Sequence, residues 1–95
     1  FTNKRSYALK VTGDSMIDAG ICDGDWVIVE EGTKPYKSKV HVILIDNQDV
    51  TLKFIEKINP KEIKLIPANK KFKEIIYSVE RVSIQGHVVG QVRIY

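Results

Sequence analysis

The chain has 95 residues, 43% hydrophobic and 28% charged, with a formal net charge of +3: enough for one globular domain with a modest core, too few for a second module. Its longest apolar runs, Trp26–Val29 and Val42–Ile45, fall far short of the ~20 residues that a membrane-spanning helix needs. The single cysteine, Cys22, excludes an internal disulfide, and with only His41 and His87 beside it no zinc cluster can form, so no metal or other cofactor is expected.

In chain order, Tyr7–Val11 alternates, with Tyr7, Leu9 and Val11 on one face, and stops at Gly13, which predicts a strand. Residues 13–19 are the best helical stretch, short, with Asp14 or Ser15 as its cap. Asp23-Gly24-Asp25 predicts a turn into the apolar strand Trp26–Val29, and residues 32–35 a loop. Val40–Ile45 and Val50–Ile58 read as a hairpin joined by residues 46–49. Asn59-Pro60 turns the chain into strand Glu62–Ile66, which Pro67 halts. Ile75–Ser78 and Val82–Ile94 complete the set, with Gly86 and Gly90 as bulges or bends. Many short strands and little helix predict a compact, mostly β, largely antiparallel fold. No repeat, low-complexity tract or internal linker interrupts it.

Charge is unevenly spread: residues 1–13 carry +3, residues 14–49 carry −5 and residues 50–95 carry +5. Seven lysines lie between Lys53 and Lys73 against two glutamates. Such clustering fits an anionic partner, but more often marks a solvated face. No helix-turn-helix, zinc-finger or RNA-binding signature is present, so direct reading of DNA by these residues is not expected.

Among the nucleophiles, Cys22 sits beside Asp23, and an acidic neighbour raises a thiol pKa, so it reads as a buried small hydrophobe. His41 and His87 have no adjacent partner, and His41 reads as structural or surface-exposed. Ser15 follows Gly13-Asp14 where a helix would start. Gly-Asp-Ser by itself is more often a cap, yet unpaired N–H groups at such a junction can also hold an oxyanion. On Val50–Ile55, Thr51, Lys53 and Ile55 share one face. A strand lysine is ordinarily solvated. If that face is covered, burial disfavours the ammonium and the neutral amine can take a serine proton, with Thr51 aiming it.

These residues carry a resemblance. Residues 13–27 (GDSMIDAGICDGDWV) resemble the nucleophile segment of LexA-type repressors, and Val50-Thr51-Leu52-Lys53 resembles that family's general-base strand. Residues 65–69 (LIPAN), followed by Phe72–Ile75, are similar to its Pro-x-Asn turn, and Val88–Arg93 to its closing strand. The likeness spans residues 7–94 and extends to phage repressors and UmuD-like proteins.

The resemblance implies a mostly β, self-cleaving Ser–Lys peptidase, with residues 1–95 as its single C-terminal domain and the N-terminal DNA-binding domain and cleavage loop outside this chain. Ser15 would be the nucleophile, Lys53 its base and Thr51 the residue orienting that base. The N–H groups of Asp14 and Ser15 would form the oxyanion hole, and Val50 and Leu52 would keep the site dry. The family cuts an upstream Ala-Gly or Cys-Gly bond, is stimulated by RecA filaments, dimerises through this domain and grips operator DNA through the other. A cytoplasmic homodimer, paired through the C-terminal strands and without a membrane anchor, is therefore expected. The resemblance also admits a UmuD-like subunit of a damage-tolerant polymerase, or a non-catalytic dimerisation module. Ser38-Lys39 stands where many relatives have Gly-Asp, and Phe54 where an arginine is frequent. The chain opens on Phe1 with no leader, and only fourteen residues precede Ser15, so cleavage by these residues alone is expected in trans rather than in cis.

Overall fold

In the computed structural model, which describes residues 5–95, the β-branched and aromatic residues gather into seven strands. These are β1 (Ser6–Lys10), β2 (Trp26–Glu31), β3 (His41–Ile45), β4 (Asp49–Asn59), β5 (Glu62–Ile66), β6 (Ile75–Ser78) and β7 (Val82–Val92). They form one sheet in the order β1-β2-β7-β3-β4-β5-β6, and every neighbouring pair is antiparallel. The mostly β expectation holds.

Local chemistry explains the connections. The β3–β4 turn places Asp46 and Asn47 at φ 52° and 57°, a conformation these two residue types tolerate better than most. At the β4–β5 turn, the Asn59 side chain accepts from the Lys61 N–H (2.8 Å) and donates to Glu62 (3.0 Å). Both expected irregularities of β7 are present. The register breaks opposite Ile28/Val29 and opposite Val42/Ile43, leaving Val89 and Gln85 as extra residues beside Gly90 and Gly86.

The helix expected over residues 13–19 is only a 3₁₀ turn, Ile17–Ala19, and neither Asp14 nor Ser15 caps it. Met16 holds the cap position, with no side-chain hydrogen bond there. So short a helix has little stability of its own, and the backbone around Ser15 bonds elsewhere, as described below. Ser38 occupies the left-handed region at φ 64°, a conformation that glycine adopts more readily than a residue with a Cβ.

The core cluster joins Val27, Val29, Val42 and Leu52 of the sheet to Val11, Met16 and Ile21 of the segment around Ser15. Each such side chain contributes roughly 1.5–3 kcal/mol on burial, against about 1 kcal/mol for a typical hydrogen bond. Packing of Met16 and Ile21 is thus the main anchor of the Ser15 loop.

Candidate active site

Ser15 is delivered by a loop tied at both ends. Gly13 takes φ +82°, and its N–H donates to Asp23 Oδ1 at 2.7 Å. The Val11 N–H donates to the Asp25 carbonyl and the Gly24 N–H to the Val11 carbonyl, both at 2.8 Å. The Asp-Gly-Asp turn therefore holds the strand end that leads to the serine. Behind it, Met16 and Ile21 are sunk in the core.

Lys53 arrives from β4 at the point where that strand changes partner. Asp49–Lys53 pairs with β3, and β5 begins to pair only at Phe54. The outer side of Thr51–Lys53 is consequently not taken by a neighbouring strand, and Ser15 approaches there. Lys53 Nζ lies 3.2 Å from Ser15 Oγ, 2.6 Å from Thr51 Oγ1 and 3.1 Å from the Leu52 carbonyl. All three partners are uncharged. With no carboxylate at hand, burial pushes the Lys53 amine below its ordinary pKa. A cleft of about 70 Å³ opens beside the pair, lined by Leu9, Val11, Met16, Thr51 and Leu52 among others.

The Pro67-Ala68-Asn69 turn closes over the opposite side of Ser15. The Ala68 N–H donates to the Ser15 carbonyl at 2.8 Å, and Asp18 N–H donates to the Ala68 carbonyl at 2.7 Å. Buried Asn69 donates through Nδ2 to the Asp14 carbonyl at 2.8 Å. Among the described residues, the N–H groups of Asp14 and Ser15 are left without hydrogen-bond partners. Val50, in contrast, is 56% exposed and cannot help keep water out, because it lies at the open start of β4; Leu52 is buried.

A buried carboxylate secures the loop that follows Ser15. Asp25 accepts from Arg93 Nε (2.8 Å) and Nη2 (2.9 Å), from Gln91 Nε2 (2.9 Å) and from the Cys22 N–H (2.8 Å). Arg93 and Gln91 also donate to the Gly20 carbonyl. The Arg93 hydrogen bonds, with that of Cys22, hold the Asp25 carboxyl well below the usual carboxylate range. A depressed folded-state pKa gives stability that is present above the ordinary value of 3.8 and lost as pH falls through the folded value. Asp25→Asn is expected to lower the melting temperature at neutral pH and to flatten the acid limb of stability. Calorimetry from about pH 7 to pH 2 measures both effects.

The sequence does not link Asp25 to Arg93 or Asn69 to Asp14: the Pro67-Ala68-Asn69 turn singles out Asn69, and residues 13–27 and Val88–Arg93 hold the other pair, but no local pattern joins these segments. Nor does it reveal a row of polar side chains across four strands, Lys53, His41, His87 and Glu30, that are cross-strand neighbours in register. His41 is fully buried, which removes the surface alternative. The Tyr36 N–H donates to its Nε2 at 2.9 Å. Burial lowers the pKa of His41 and the Lys39 backbone offsets this only in part, so the ring is neutral at neutral pH. Cys22 is half-buried rather than buried.

The lysine-rich stretch is a mixed, solvated face. Lys64 pairs with Glu56 (3.4 Å) and Glu74 (3.6 Å), and Lys57, Lys61, Lys70, Lys71 and Lys73 are exposed. A larger groove of about 670 Å³, lined by Tyr36, Ile55, Ile63, Val79, Val82 and Ile84 among others, does not include Ser15 or Lys53. Among the described residues, no three His, Cys, Asp or Glu side chains are grouped to hold a metal ion, and no helix is long and apolar enough to cross a membrane.

Residues 1–89 match the family model described as Peptidase S24-like. The chain belongs to that family. It is 44% identical over 89 residues to the LexA repressor of Zymomonas mobilis, covering 94% of this chain and 41% of that protein. It is 47% identical over 89 residues to the LexA repressor of Gluconacetobacter diazotrophicus (94% and 35%) and 39% identical over 92 residues to that of Petrotoga mobilis (97% and 45%). The chain thus spans less than half the length of these relatives, and what it shares with them is the LexA-type domain with its serine-peptidase-type fold.

Proposed function

We propose that this chain is the C-terminal domain of a LexA-type transcriptional repressor of the DNA-damage response or of a prophage. In this reading it cleaves its own upstream loop with Ser15 as nucleophile and Lys53 as general base. The 3.2 Å contact between Lys53 Nζ and Ser15 Oγ carries the proposal. A neutral amine has two N–H groups and one lone pair. The Leu52 carbonyl can only accept, and Thr51 Oγ1 lies at 2.6 Å, so these two take the N–H groups. The lone pair is then left for the Ser15 hydroxyl.

Ser15 Oγ attacks the scissile carbonyl as its proton passes to Lys53. The free N–H groups of Asp14 and Ser15 receive the oxyanion, and Lys53 returns the proton to the leaving amine. Water then hydrolyses the acyl-enzyme. The small cleft suits a small side chain, in keeping with an Ala-Gly or Cys-Gly bond. Cleavage separates this domain from an N-terminal operator-binding domain, with a RecA filament as stimulus, in the cytoplasm. Exposed Val89, Val92 and Ile94 support pairing of two copies along the C-terminal strand, so the cut also dissolves the avidity of a dimer on a two-part operator.

The test is the pH dependence of cleavage in the full-length protein. The lowered Lys53 pKa predicts a rate that rises with pH as the ammonium loses its proton and levels off before the ordinary lysine value of 10.5. No cutting at any pH would leave a binding module with a peptidase fold.

A further inference from the structure

The Pro67-Ala68-Asn69 turn belongs to no step above, yet it makes three hydrogen bonds to the backbone flanking Ser15. We infer that Asn69 is a positioning residue for the oxyanion hole, acting through the Asp14–Ser15 peptide; this rests on the Ser15–Lys53 reading. The carbonyl of Asp14 and the N–H of Ser15 belong to one planar trans peptide and point in opposite directions. Asn69 Nδ2, 2.8 Å from the Asp14 oxygen, fixes that plane from the side away from the cleft and so aims the Ser15 N–H at the place where an oxyanion develops. Among the described residues, the only other donor to this carbonyl is the Ile17 N–H at 3.4 Å, too long to hold the plane alone. The Ala68 N–H does the same for the next peptide by holding the Ser15 carbonyl.

Asn69 is itself held. It is 8% exposed, and its Oδ1 accepts from the Lys71 N–H at 3.0 Å. The amide is thereby oriented, with Nδ2 as the end that faces Asp14. Loss of one oxyanion donor costs about 10²–10³ in kcat, and loss of its aim a part of that.

The experiment uses the full-length protein with Asn69→Ser, which keeps an acceptor for the turn but cannot reach Asp14, and with Asn69→Ala. The expected result is a plateau cleavage rate lowered about 10–100-fold, with the pH midpoint unchanged because Lys53 is untouched. Affinity for a peptide boronate, whose tetrahedral adduct places an oxygen in the hole, falls by a similar factor, whereas affinity for the uncleavable peptide amide does not. A merely structural role would lower all of these together with the melting temperature. Wild-type plateau rates, or equal losses for boronate and amide, overturn the inference. If neither variant folds, the unaltered protein decides: the Ser15 amide proton should move downfield when the boronate binds, and an unmoved signal overturns it. Ser15→Ala and Lys53→Ala are run alongside. If they still cut, the dyad itself is wrong; if they stop while the Asn69 variants cut normally, only the role of Asn69 is.

Discussion

If Ser15 and Lys53 act as proposed, Lys53→Ala in the full-length protein is expected to slow cleavage by about 10⁴–10⁶-fold, the range seen when a member of a nucleophile–base pair is removed. Among the described residues, Lys53 is the side chain bonded to Ser15 Oγ, so no second base stands ready to replace it. Lys53→Arg should fail as completely, because a guanidinium stays protonated and offers no lone pair. Measured by gel densitometry over a pH series, the residual cutting should also lose its rise with pH.

The same residue carries an opposite prediction for stability. The folded-state pKa of Lys53 lies below its unfolded value, so the fold is penalised below the folded pKa. The penalty is relieved as pH climbs toward 10.5. Lys53→Met keeps the stem and discards the amine. It should melt higher than the parent at neutral pH and lack the parent's gain in stability on the alkaline side. A lower melting temperature for Lys53→Met would mean that the amine is charged and stabilised in place, which removes the base.

Gly86→Ala is expected to destabilise the fold by about 1–3 kcal/mol, toward the upper end of the usual cost of overpacking. A Cβ at this position would stand 2.5 Å from the Glu30 carbonyl oxygen and 2.7 Å from Val29 Cγ1. The first of these is backbone within the β2–β7 pairing, so relief requires strand displacement rather than a new rotamer. Gly86 also abuts the bulge opposite Val42/Ile43, and β3 in turn carries β4 and Lys53. The measurement is urea unfolding: a lower midpoint at unchanged slope is expected, and an unchanged midpoint would mean that β2 and β7 are not packed this closely. Gly90, whose nearest Cβ contacts are with Ile28 at 3.5 and 3.6 Å, should accept alanine far better.

Much of the fold was legible along the chain. Strands Glu62–Ile66 and Ile75–Ser78 have the limits their alternation predicts, and Trp26, Val82 and the residues near His41 and Asp49 begin strands within a residue of expectation. Two-residue periodicity and turn chemistry are local properties, so they survive in the linear text. The helix over residues 13–19 failed for a related reason. Its composition permits a helix, but the Asp14 and Ser15 carbonyls and the Asp18 N–H are bonded to Ala68 and Asn69, fifty or more residues away. No local pattern reports such a competitor.

The site divides along the same line. Ser15 and Lys53 could be named from short segments and their resemblance to a family, because each sits in a motif whose residue types are visible. Their closeness could not, since it depends on β4 changing partners between Lys53 and Phe54 and so leaving one side open to the Ser15 loop. The bond from exposed Arg93 to buried Asp25 and the Asn69 bond to Asp14 join residues 68 and 55 positions apart. By itself the sequence determined most of the strands and turns and the residue types of the candidate groups, because those follow from short-range patterning. Tertiary structure alone decided the distance between amine and hydroxyl, the burial that lowers the amine's pKa and the orientation of the peptide beside the serine. Each of these is set by contacts between segments far apart in the chain, whose energies appear only once the sheet has closed around them.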